Sequence, residues 1–356
     1  MSRMKKRKMV KWSLLAGVTL LLTACGSGEA TNKDSVYELS FNIQVPSTHK
    51  FHTEVVEPWA KLVEEETEGK VKVNIYNSGA LGTLSTAYED IQGGVYDIGY
   101  VSPSLHPDTE LFPLSIGDLP FGISDPFDST AVLKPFMEKY MAESLEEVIP
   151  VGISGTDSYQ LYSEDPVETI HDVKNKKIIA SGYQRVDLIE LWGGVPVSLG
   201  LEEIYTSLDR NTVNQATYTS IGAVGLKLYE VSPYLTKIDM GNTALLFLMN
   251  KNSFKSLPAD LQKLFEDELG PKFETMNSEL YSSASENAIN EFDKAVSEDG
   301  GRVITLSEKD LQSFKEPAKV VWDDWVKLAN DKGFDGQEMM DFFTKTLEEE
   351  GLTLPY

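Results

Sequence analysis

Side chains that commonly carry metal or redox chemistry are scarce in this sequence. It has one cysteine, Cys25, and four histidines, His49, His52, His106 and His171. A single cysteine rules out a disulfide within the chain and any zinc or iron–sulfur site built on several thiolates. His49 and His52 have the spacing His-x-x-His, which alone is weak support for a metal site. We therefore predict no bound metal.

Sequence motifs of common catalytic and cofactor sites are also missing. The nearest match to the nucleophile turn Gly-x-Ser-x-Gly is Gly152-Ile-Ser-Gly155, which has the wrong spacing. No phosphate-binding P-loop is present. Asp331-x-x-x-Asp335-Gly336 shares part of a calcium-binding loop, but Phe342 stands where that loop requires a bidentate Glu. We predict a protein that is not an enzyme and uses no cofactor.

The charge of the chain is strongly negative and unevenly distributed. The 356 residues include 32 Lys and Arg and 56 Asp and Glu. Residues 1–24 hold six of the basic residues and no acid, so the remaining 332 residues carry a formal net charge of −30. Such a polyanion repels nucleic-acid phosphates and anionic lipid surfaces. We therefore expect no nucleic-acid partner.

The N-terminal residues have the pattern of an export signal. A basic stretch over residues 3–11 precedes 13 uncharged residues, 12–24, fewer than the about 20 apolar residues that span a bilayer. The stretch ends in Leu22-Thr-Ala-Cys25-Gly, which resembles the bacterial lipobox. We predict a signal peptide over 1–24, a lipidated Cys25 carrying palmitate or a related acyl chain, and a tether over 25–35. The protein would then be anchored to the extracytoplasmic face of the cell membrane; a buried anchor helix with an incidental cysteine is the alternative.

Hydrophobic periodicity predicts two α/β units followed by a helical region. In the first unit, predicted strands 36–43, 70–76 and 96–101 alternate with helices 52–67 and 83–93, an order typical of a parallel sheet. The second unit has predicted strands 151–154, 177–181, 195–199 and 213–218, helices 184–192, 201–209 and 219–229, and two more strands within 237–251. Predicted helices 258–298, 307–331 and 336–349 follow, the first long enough to brace two lobes.

Polar and aromatic residues stand at the ends of several predicted strands. Tyr100, Ser154, Ser181 and Tyr218 lie at or near carboxyl ends, where open α/β sheets bind their ligands. Two lobes that face each other would bring these ends to one cleft.

Ten short motifs, collinear between residues 67 and 258, resemble the DctP-type solute-binding subunit of TRAP (tripartite ATP-independent periplasmic) transporters, in a resemblance that runs from about residue 38 to 345. They are Thr67-Glu-Gly-Lys-Val-Lys-Val, Ser78-Gly-Ala-Leu-Gly82, Ile91-Gln-Gly-Gly-Val-Tyr-Asp-Ile98, Leu119-Pro-Phe121, Asp172–Ile178, Glu203-Ile-Tyr205, Leu208–Asn214, Lys227–Val231, Met249-Asn250 and Leu257-Pro258. The resemblance implies a bilobed α/β fold of the periplasmic-binding-protein type II class, with two crossovers and a long bracing helix. It places lobe 1 at 36–153 plus 240–275, lobe 2 at 154–239 plus 300–356, and the lobe-spanning helix at 276–299.

The implied function is capture of a small organic solute outside the membrane and its delivery to the small and large integral membrane subunits of a TRAP permease. A sensor that presents its solute to a receptor kinase is the alternative, and a lipid-anchored hydrolase is a second one.

Three positions depart from the family pattern. The family's carboxylate-binding Arg aligns with Ile179, a second common Arg with Tyr159, and an Asn with Tyr218. Neither Ile nor Tyr replaces a guanidinium fork. Either the ligand lacks a carboxylate, with Tyr100, Tyr159 and Tyr218 forming aromatic walls, or the anion is held elsewhere.

Arg185, His49 and Lys50 are the candidates for a relocated anion site, although Arg185 also fits a surface position on its helix. The first interpretation predicts that succinate, malate and fumarate bind weakly or not at all. The full set of predicted ligand-binding residues is His49, Tyr100, Phe121, Tyr159, Ile179, Ser181, Arg185, Thr217, Tyr218 and Asn242.

Overall fold

A computed structural model of the chain describes residues 36–142 and 145–355. The predicted signal peptide, Cys25 and the tether lie outside the described residues.

The strands are β1 Tyr37–Asn42, β2 Val71–Tyr76, β3 Ile98–Val101, β4 Val148–Gly155, β5 Tyr159–Ser163, β6 Lys177–Ile179, β7 Val195–Val197, β8 Gln215–Thr219, β9 Tyr234–Lys237, β10 Ala244–Asn250 and β11 Arg302–Thr305. The helices are α1 Glu57–Glu66, α2 Ala87–Gln92, α3 Pro126–Tyr140, α4 Tyr183–Leu191, α5 Ile204–Asp209, α6 Ser220–Gly225, α7 Lys251–Ser256, α8 Ala259–Leu264, α9 Gly270–Val296, α10 Glu308–Lys315, α11 Ala318–Asp331 and α12 Gly336–Glu349.

The first sheet has the strand order β2-β1-β3-β10-β4. β1 pairs in parallel with both β2 and β3, so the parallel arrangement predicted for the first three strands is confirmed. β10 is antiparallel to β3 and to β4, because it returns to this sheet after the chain has built the second one.

The second sheet has the order β11-β9-β5-β8-β6-β7, in which β5 is antiparallel to β8 and β9. Neither β5 nor β11 is predicted from the sequence. The prediction of two strands within 237–251 is wrong, since only β10 lies there and β9 ends at Lys237. The residues between them, 238–243, instead form a connection between the two sheets.

Two connections run side by side where the chain passes between the sheets. One joins β4 to β5 and the other joins β9 to β10. Backbone hydrogen bonds link them, from Tyr159 N to Gly241 O (2.9 Å), Met240 N to Tyr159 O (3.0 Å) and Thr156 N to Thr243 O (3.0 Å). The two crossovers of the bilobed fold are therefore present and tied to each other.

The long helix α9 contacts both lobes. In the first, Asn277 Nδ2 donates to Ser154 Oγ (3.1 Å) and Gly155 O (3.2 Å) on β4. Toward the second, Phe292 meets Tyr162 of β5 edge to face. The predicted helix 258–298 is confirmed as a continuous helical run, which passes through α8, one π-helical stretch at Phe265–Leu269 and α9. The lobe boundaries themselves stay a prediction.

The C-terminal helices pack onto the second lobe and its junction with the first. The predicted helix 307–331 is divided into α10 and α11, since Pro317 cannot donate a backbone hydrogen bond. Trp192 Nε1 of α4 donates to Phe314 O of α10 (2.9 Å), and Trp325 Nε1 of α11 donates to Ser115 Oγ (3.0 Å). Among the described residues, no helix combines the length and apolar character that a membrane span requires.

Candidate ligand-binding cleft

A narrow cavity lies where the strand ends of the two sheets face each other. The volume open to the centre of a water-sized sphere is about 60 Å³, room for roughly four waters. Residues of both lobes form its wall. They are Val45, His49, Phe51, Leu84, Tyr100, Ser102, Leu245 and Tyr281 from the first lobe and α9, with Thr156, Tyr159, Ser181, Leu201, Tyr218, Thr219 and Thr243 from the second lobe and the crossovers.

The two lobes touch on either side of this cavity. A Cβ atom on Gly225, at the end of α6, would lie 2.8 Å from His49 Cδ2 of the first lobe. A Cβ on Gly182, just before α4, would lie 2.6 Å from Ser104 Oγ of the first lobe. Both distances are shorter than a van der Waals contact, so glycine at these positions lets the lobes approach closely. The conformation described is therefore a closed one.

Aromatic side chains dominate the wall. Tyr159 and Tyr218 meet edge to face, with ring centroids 6.2 Å apart at 82°. Opposite them, Phe51 meets Tyr100 edge to face at 5.6 Å and lies 6.4 Å from Tyr281. Burial raises the pKa of all four tyrosines above the usual value of 10. Their hydroxyl groups therefore stay protonated at neutral pH and remain able to donate hydrogen bonds.

His49 is a neutral part of the wall. Its Nδ1 accepts a hydrogen bond from Phe51 N at 3.1 Å, which places the ring proton on Nε2. Burial, with a smaller contribution from the charge of Lys50, lowers the pKa of His49 to about 4. At neutral pH this side chain offers a hydrogen-bond donor and carries no positive charge.

Arg185 is packed directly behind the wall. It is only 2% exposed, so the alternative that it is a surface residue of its helix is wrong. Its Nη1 donates to Ser181 O at 3.3 Å and its Nη2 donates to Asn242 O. The guanidinium carbon lies 3.9 Å from the centroid of the Tyr159 ring, within cation–π range. The sequence placed Arg185 at the start of α4 but gave no sign of this burial.

Asp118 is a buried carboxyl group near Arg185. Its Oδ1 accepts a hydrogen bond from Ala244 N at 2.8 Å. Burial raises the pKa of Asp118, and attraction to Arg185 acts in the opposite direction. Asp118 does not belong to the wall of the cavity.

Five of the ten predicted ligand-binding residues border the cavity, namely His49, Tyr100, Tyr159, Ser181 and Tyr218. The other five do not form its wall. Ile179 lies within β6, where its carbonyl accepts a hydrogen bond from Thr217 Oγ1 at 2.9 Å. Asn242 directs its Nδ2 to Ser129 Oγ at 2.7 Å. Phe121 is buried in the hydrophobic core, and Arg185 is behind Tyr159.

Ten residues of the wall are not among those predicted from the sequence. They are Val45, Phe51, Leu84, Ser102, Thr156, Leu201, Thr219, Thr243, Leu245 and Tyr281. Thr219 and Ser102 directly follow predicted strand ends, so the strand-end argument applies to both. Thr156 and Thr243 come from the crossovers and Tyr281 from the middle of α9, and no local sequence signal marks these three. Within the described ranges, no group of three His, Cys, Asp or Glu side chains is placed to hold a metal ion.

The fold and the cavity together define a class. A bilobed α/β fold with a cavity shared between its lobes and two adjacent crossovers is the architecture of periplasmic solute-binding proteins. The family described as bacterial extracellular solute-binding protein, family 7 (DctP), matches residues 41–328, and the chain belongs to this family. It is thus a solute-binding subunit of the TRAP type that takes small organic solutes.

Two similar proteins are named as periplasmic proteins that bind organic solutes. The chain is 25% identical over 293 residues to the ectoine-binding periplasmic protein TeaA of Halomonas elongata, covering 80% of this chain and 83% of TeaA. It is 24% identical over 342 residues to the 2,3-diketo-L-gulonate-binding periplasmic protein YiaO of Escherichia coli, covering 94% and 96%. These homologues are periplasmic solute-binding proteins, which agrees with an extracytoplasmic location and does not favour a sensor for a kinase.

A solved structure with the same fold is a TRAP solute-binding protein from Rhodoferax ferrireducens in complex with benzoate. It has a TM-score of 0.80 and 19% identity, and the match covers 88% of this chain and 98% of that one. A marine metagenome TRAP solute-binding protein with 3-hydroxybenzoate has a TM-score of 0.81 and 21% identity, with 89% and 99% covered. At these identities the likeness concerns the fold.

Proposed function

We propose that this protein is a lipid-anchored receptor that captures a small organic solute between its lobes and delivers it to the small and large integral membrane subunits of a TRAP permease. The observation that carries the proposal is the closed cavity between the sheets, whose wall draws on both lobes, both crossovers and α9. A solute held there contacts every part that must move for release.

Binding in this proposal involves no chemistry on the solute, and the protein acts as neither an enzyme nor a metalloprotein. His49, the histidine of the wall, has its Nδ1 occupied by a backbone N–H. It therefore lacks the carboxylate partner that orients a general base in hydrolases. Recovery of the bound solute unchanged, checked by NMR after prolonged incubation, separates this proposal from the hydrolase alternative.

The lobes in this proposal follow the boundaries predicted from the sequence, 36–153 with 240–275 and 154–239 with 300–356. The helix over 276–299 spans them. The crossovers near Thr156 and Thr243 act as the hinge, because these two short segments run side by side between the sheets. Solute enters when the contacts of Gly225 and Gly182 with the first lobe separate.

The lipid anchor is the part that rests on sequence alone. Leu22-Thr-Ala-Cys25 and the short apolar stretch before it support acylation of Cys25. An anchored receptor stays beside its permease, which raises its effective concentration there.

Differential scanning fluorimetry over a broad library of organic solutes tests the core of the proposal. A solute that binds only the folded protein raises the melting temperature. Small-angle scattering then measures closure: saturating solute should lower the radius of gyration. The proposal fails if no solute stabilises the protein, and its hinge fails if a stabilising solute leaves unchanged the scattering profile of a free protein that is more open than the conformation described here.

A further inference from the structure

The wall of the cavity carries no formal charge at neutral pH. None of its fifteen residues is Asp, Glu, Lys or Arg. The one histidine, His49, is neutral because its ring is buried and its Nδ1 accepts a backbone hydrogen bond. Lys50, the other basic residue considered for an anion site, does not belong to the wall. A charged solute that enters this space loses its hydration without meeting an opposite charge.

The Arg185 guanidinium does not supply the missing charge. Tyr159 belongs to the wall, and Arg185 lies behind it with the guanidinium carbon 3.9 Å from the ring centroid. Two of the guanidinium nitrogens already donate to the carbonyls of Ser181 and Asn242. An anion in the cavity would therefore face the ring and not the guanidinium.

A cation also finds little support. The positive guanidinium over the ring of Tyr159 opposes a second cation that approaches this ring from the cavity. The buried carboxylate next to the crossover, Asp157, does not belong to the wall. Its Oδ2 instead accepts hydrogen bonds from Ser220 N (2.6 Å) and Ile221 N (3.2 Å).

Uncharged polar groups are available on the wall. The hydroxyl groups of Tyr218 and Tyr281 have no hydrogen-bond partner among the described residues. Their pKa values are raised by burial and by neighbouring groups, and no hydrogen bond contributes. His49 Nε2 carries a proton and Ser181 follows β6 at the edge of the cavity. Neutral oxygen atoms of a solute, such as a hydroxyl, an amide or a ketone, match these groups.

We propose that the cleft selects an uncharged cyclic solute, whose ring packs between Tyr159 and Tyr218 on one side and Phe51 and Tyr100 on the other, and whose one or two neutral oxygen atoms bind the free tyrosine hydroxyls. This inference rests on the proposed function, since it names the class of solute that the same cavity takes. Aromatic walls hold flat rings well, and a narrow space favours a compact one.

Compounds that share a shape and differ in charge provide the sharpest test. Benzoate, benzamide and benzamidinium are nearly isosteric and carry charges of −1, 0 and +1. Pyroglutamate and its amide provide a second pair on a non-aromatic ring. Titration calorimetry with the full-length mature protein at pH 7 should show the neutral member binding at least about 100-fold more tightly than its charged counterparts, because the wall has no group to pair a charge.

The possible results distinguish failure of this inference from failure of the proposed solute-binding function. Tighter binding of benzoate, pyroglutamate or benzamidinium than of the neutral analogue overturns the inference and leaves the function intact. If none of these probes binds, the charge of the solute found in the library decides: a neutral one supports the inference and a charged one overturns it. A library without any binder removes the proposed function, and the inference with it.

Two substitutions test whether a tyrosine hydroxyl of the wall binds the neutral probe. Tyr218→Phe removes only a hydroxyl that faces the cavity and should weaken binding of the neutral probe about tenfold. Tyr162→Phe removes a hydroxyl from the neighbouring strand β5, outside the wall, and should leave binding unchanged. Equal effects of the two substitutions would contradict a hydrogen bond from Tyr218 to the solute.

Discussion

The Arg185 guanidinium lies over the ring of Tyr159, with its carbon 3.9 Å from the ring centroid, and Tyr159 itself forms part of the cavity wall while Arg185 does not. A ring from β5 thus covers an Arg from α4. The protein thus keeps a buried positive charge close to the cavity, but a solute in the cavity would contact the Tyr159 ring and not the guanidinium. The preference of this cleft for charged or neutral solutes therefore depends on Tyr159 as much as on Arg185.

Removing the Tyr159 ring should change the charge of the solute that the cleft prefers. Tyr159→Ala exposes the guanidinium to the cavity, and benzoate affinity should rise by roughly tenfold or more, the value of one charge-assisted hydrogen bond. The substitution should also cost about 3–5 kcal/mol of stability, as for other large buried rings. Calorimetric titration with benzoate is the measurement, on protein shown to be folded by its thermal transition.

Two further variants control this experiment. Tyr159→Phe keeps the ring in place and should gain no anion affinity. Tyr159→Ala combined with Arg185→Met should lose whatever affinity the single variant gained. A gain that persists in the double variant would show that the guanidinium is not its source.

The sequence predicted those wall residues whose position depends on a nearby strand end, and it missed those placed by contacts between distant parts of the chain. Ser181 and Tyr218 were predicted because the carboxyl ends of neighbouring strands meet wherever the sheet forms. Arg185 was placed on its helix, but its burial depends on a ring from β5, 26 residues earlier. Tyr281 reaches the cavity from α9 through a purely tertiary contact.

The missed strand β5 has a different cause. All five of its residues, Tyr159–Ser163, are buried, because the strand lies inside the second sheet with both faces covered. A strand of this kind shows no alternation of apolar and polar residues. Periodicity identified β2 correctly, by contrast, because one of its faces reaches solvent.

The ring of Tyr218 should contribute directly to solute binding. Tyr218→Ala removes a buried aromatic contact and a free hydroxyl, which together amount to roughly 1–3 kcal/mol of binding free energy. Titration of the solute identified in the library measures this loss. An unchanged dissociation constant in a folded Tyr218→Ala protein would mean that the solute binds elsewhere.

Asp157 should make folding less favourable as the pH rises. Burial raises the pKa of Asp157 to about 7 from 3.8, even though Oδ2 accepts two backbone hydrogen bonds that favour the charged form. Between about pH 4 and pH 7 the folded state therefore holds a proton that the unfolded state releases, and stability falls with rising pH. Asp157→Asn removes this dependence, so the variant should gain up to about 4 kcal/mol over the wild type across that range.

His49 acts with the opposite sign. Burial lowers its pKa to about 4 from 6.5, so the unfolded state binds more protons between those values and stability rises with pH. His49→Asn, which keeps an acceptor near the Nδ1 position, should lose up to about 3 kcal/mol relative to the wild type over this interval. Urea unfolding from pH 4 to pH 7.5 measures both variants, and a difference from the wild type that stays flat with pH would contradict either assignment.

Acylation of Cys25 should hold the protein at the membrane. Cys25→Ala removes the thiol that receives the lipid, so the variant should be released from the membrane or remain unprocessed. Metabolic labelling with a palmitate analogue, followed by fractionation, measures this, and Ser27→Ala is the neighbouring control. A correctly cleaved Cys25→Ala protein that still sediments with membranes would rule out the lipid anchor.

The absence of a side chain at Gly225 should allow the lobes to close fully. A Cβ there would lie 2.8 Å from His49 Cδ2 across the cleft, whereas alanine suits the helical backbone of α6 better than glycine does. Gly225→Ala should therefore keep or slightly raise the stability of the protein while weakening solute binding. Gly225→Leu should weaken it further, because the larger side chain holds the lobes further apart. Small-angle scattering at saturating solute should then give a radius of gyration that increases from the wild type to the Ala and Leu variants. Equal radii and equal affinities in the three proteins would show that the contact between Gly225 and His49 is not part of closure.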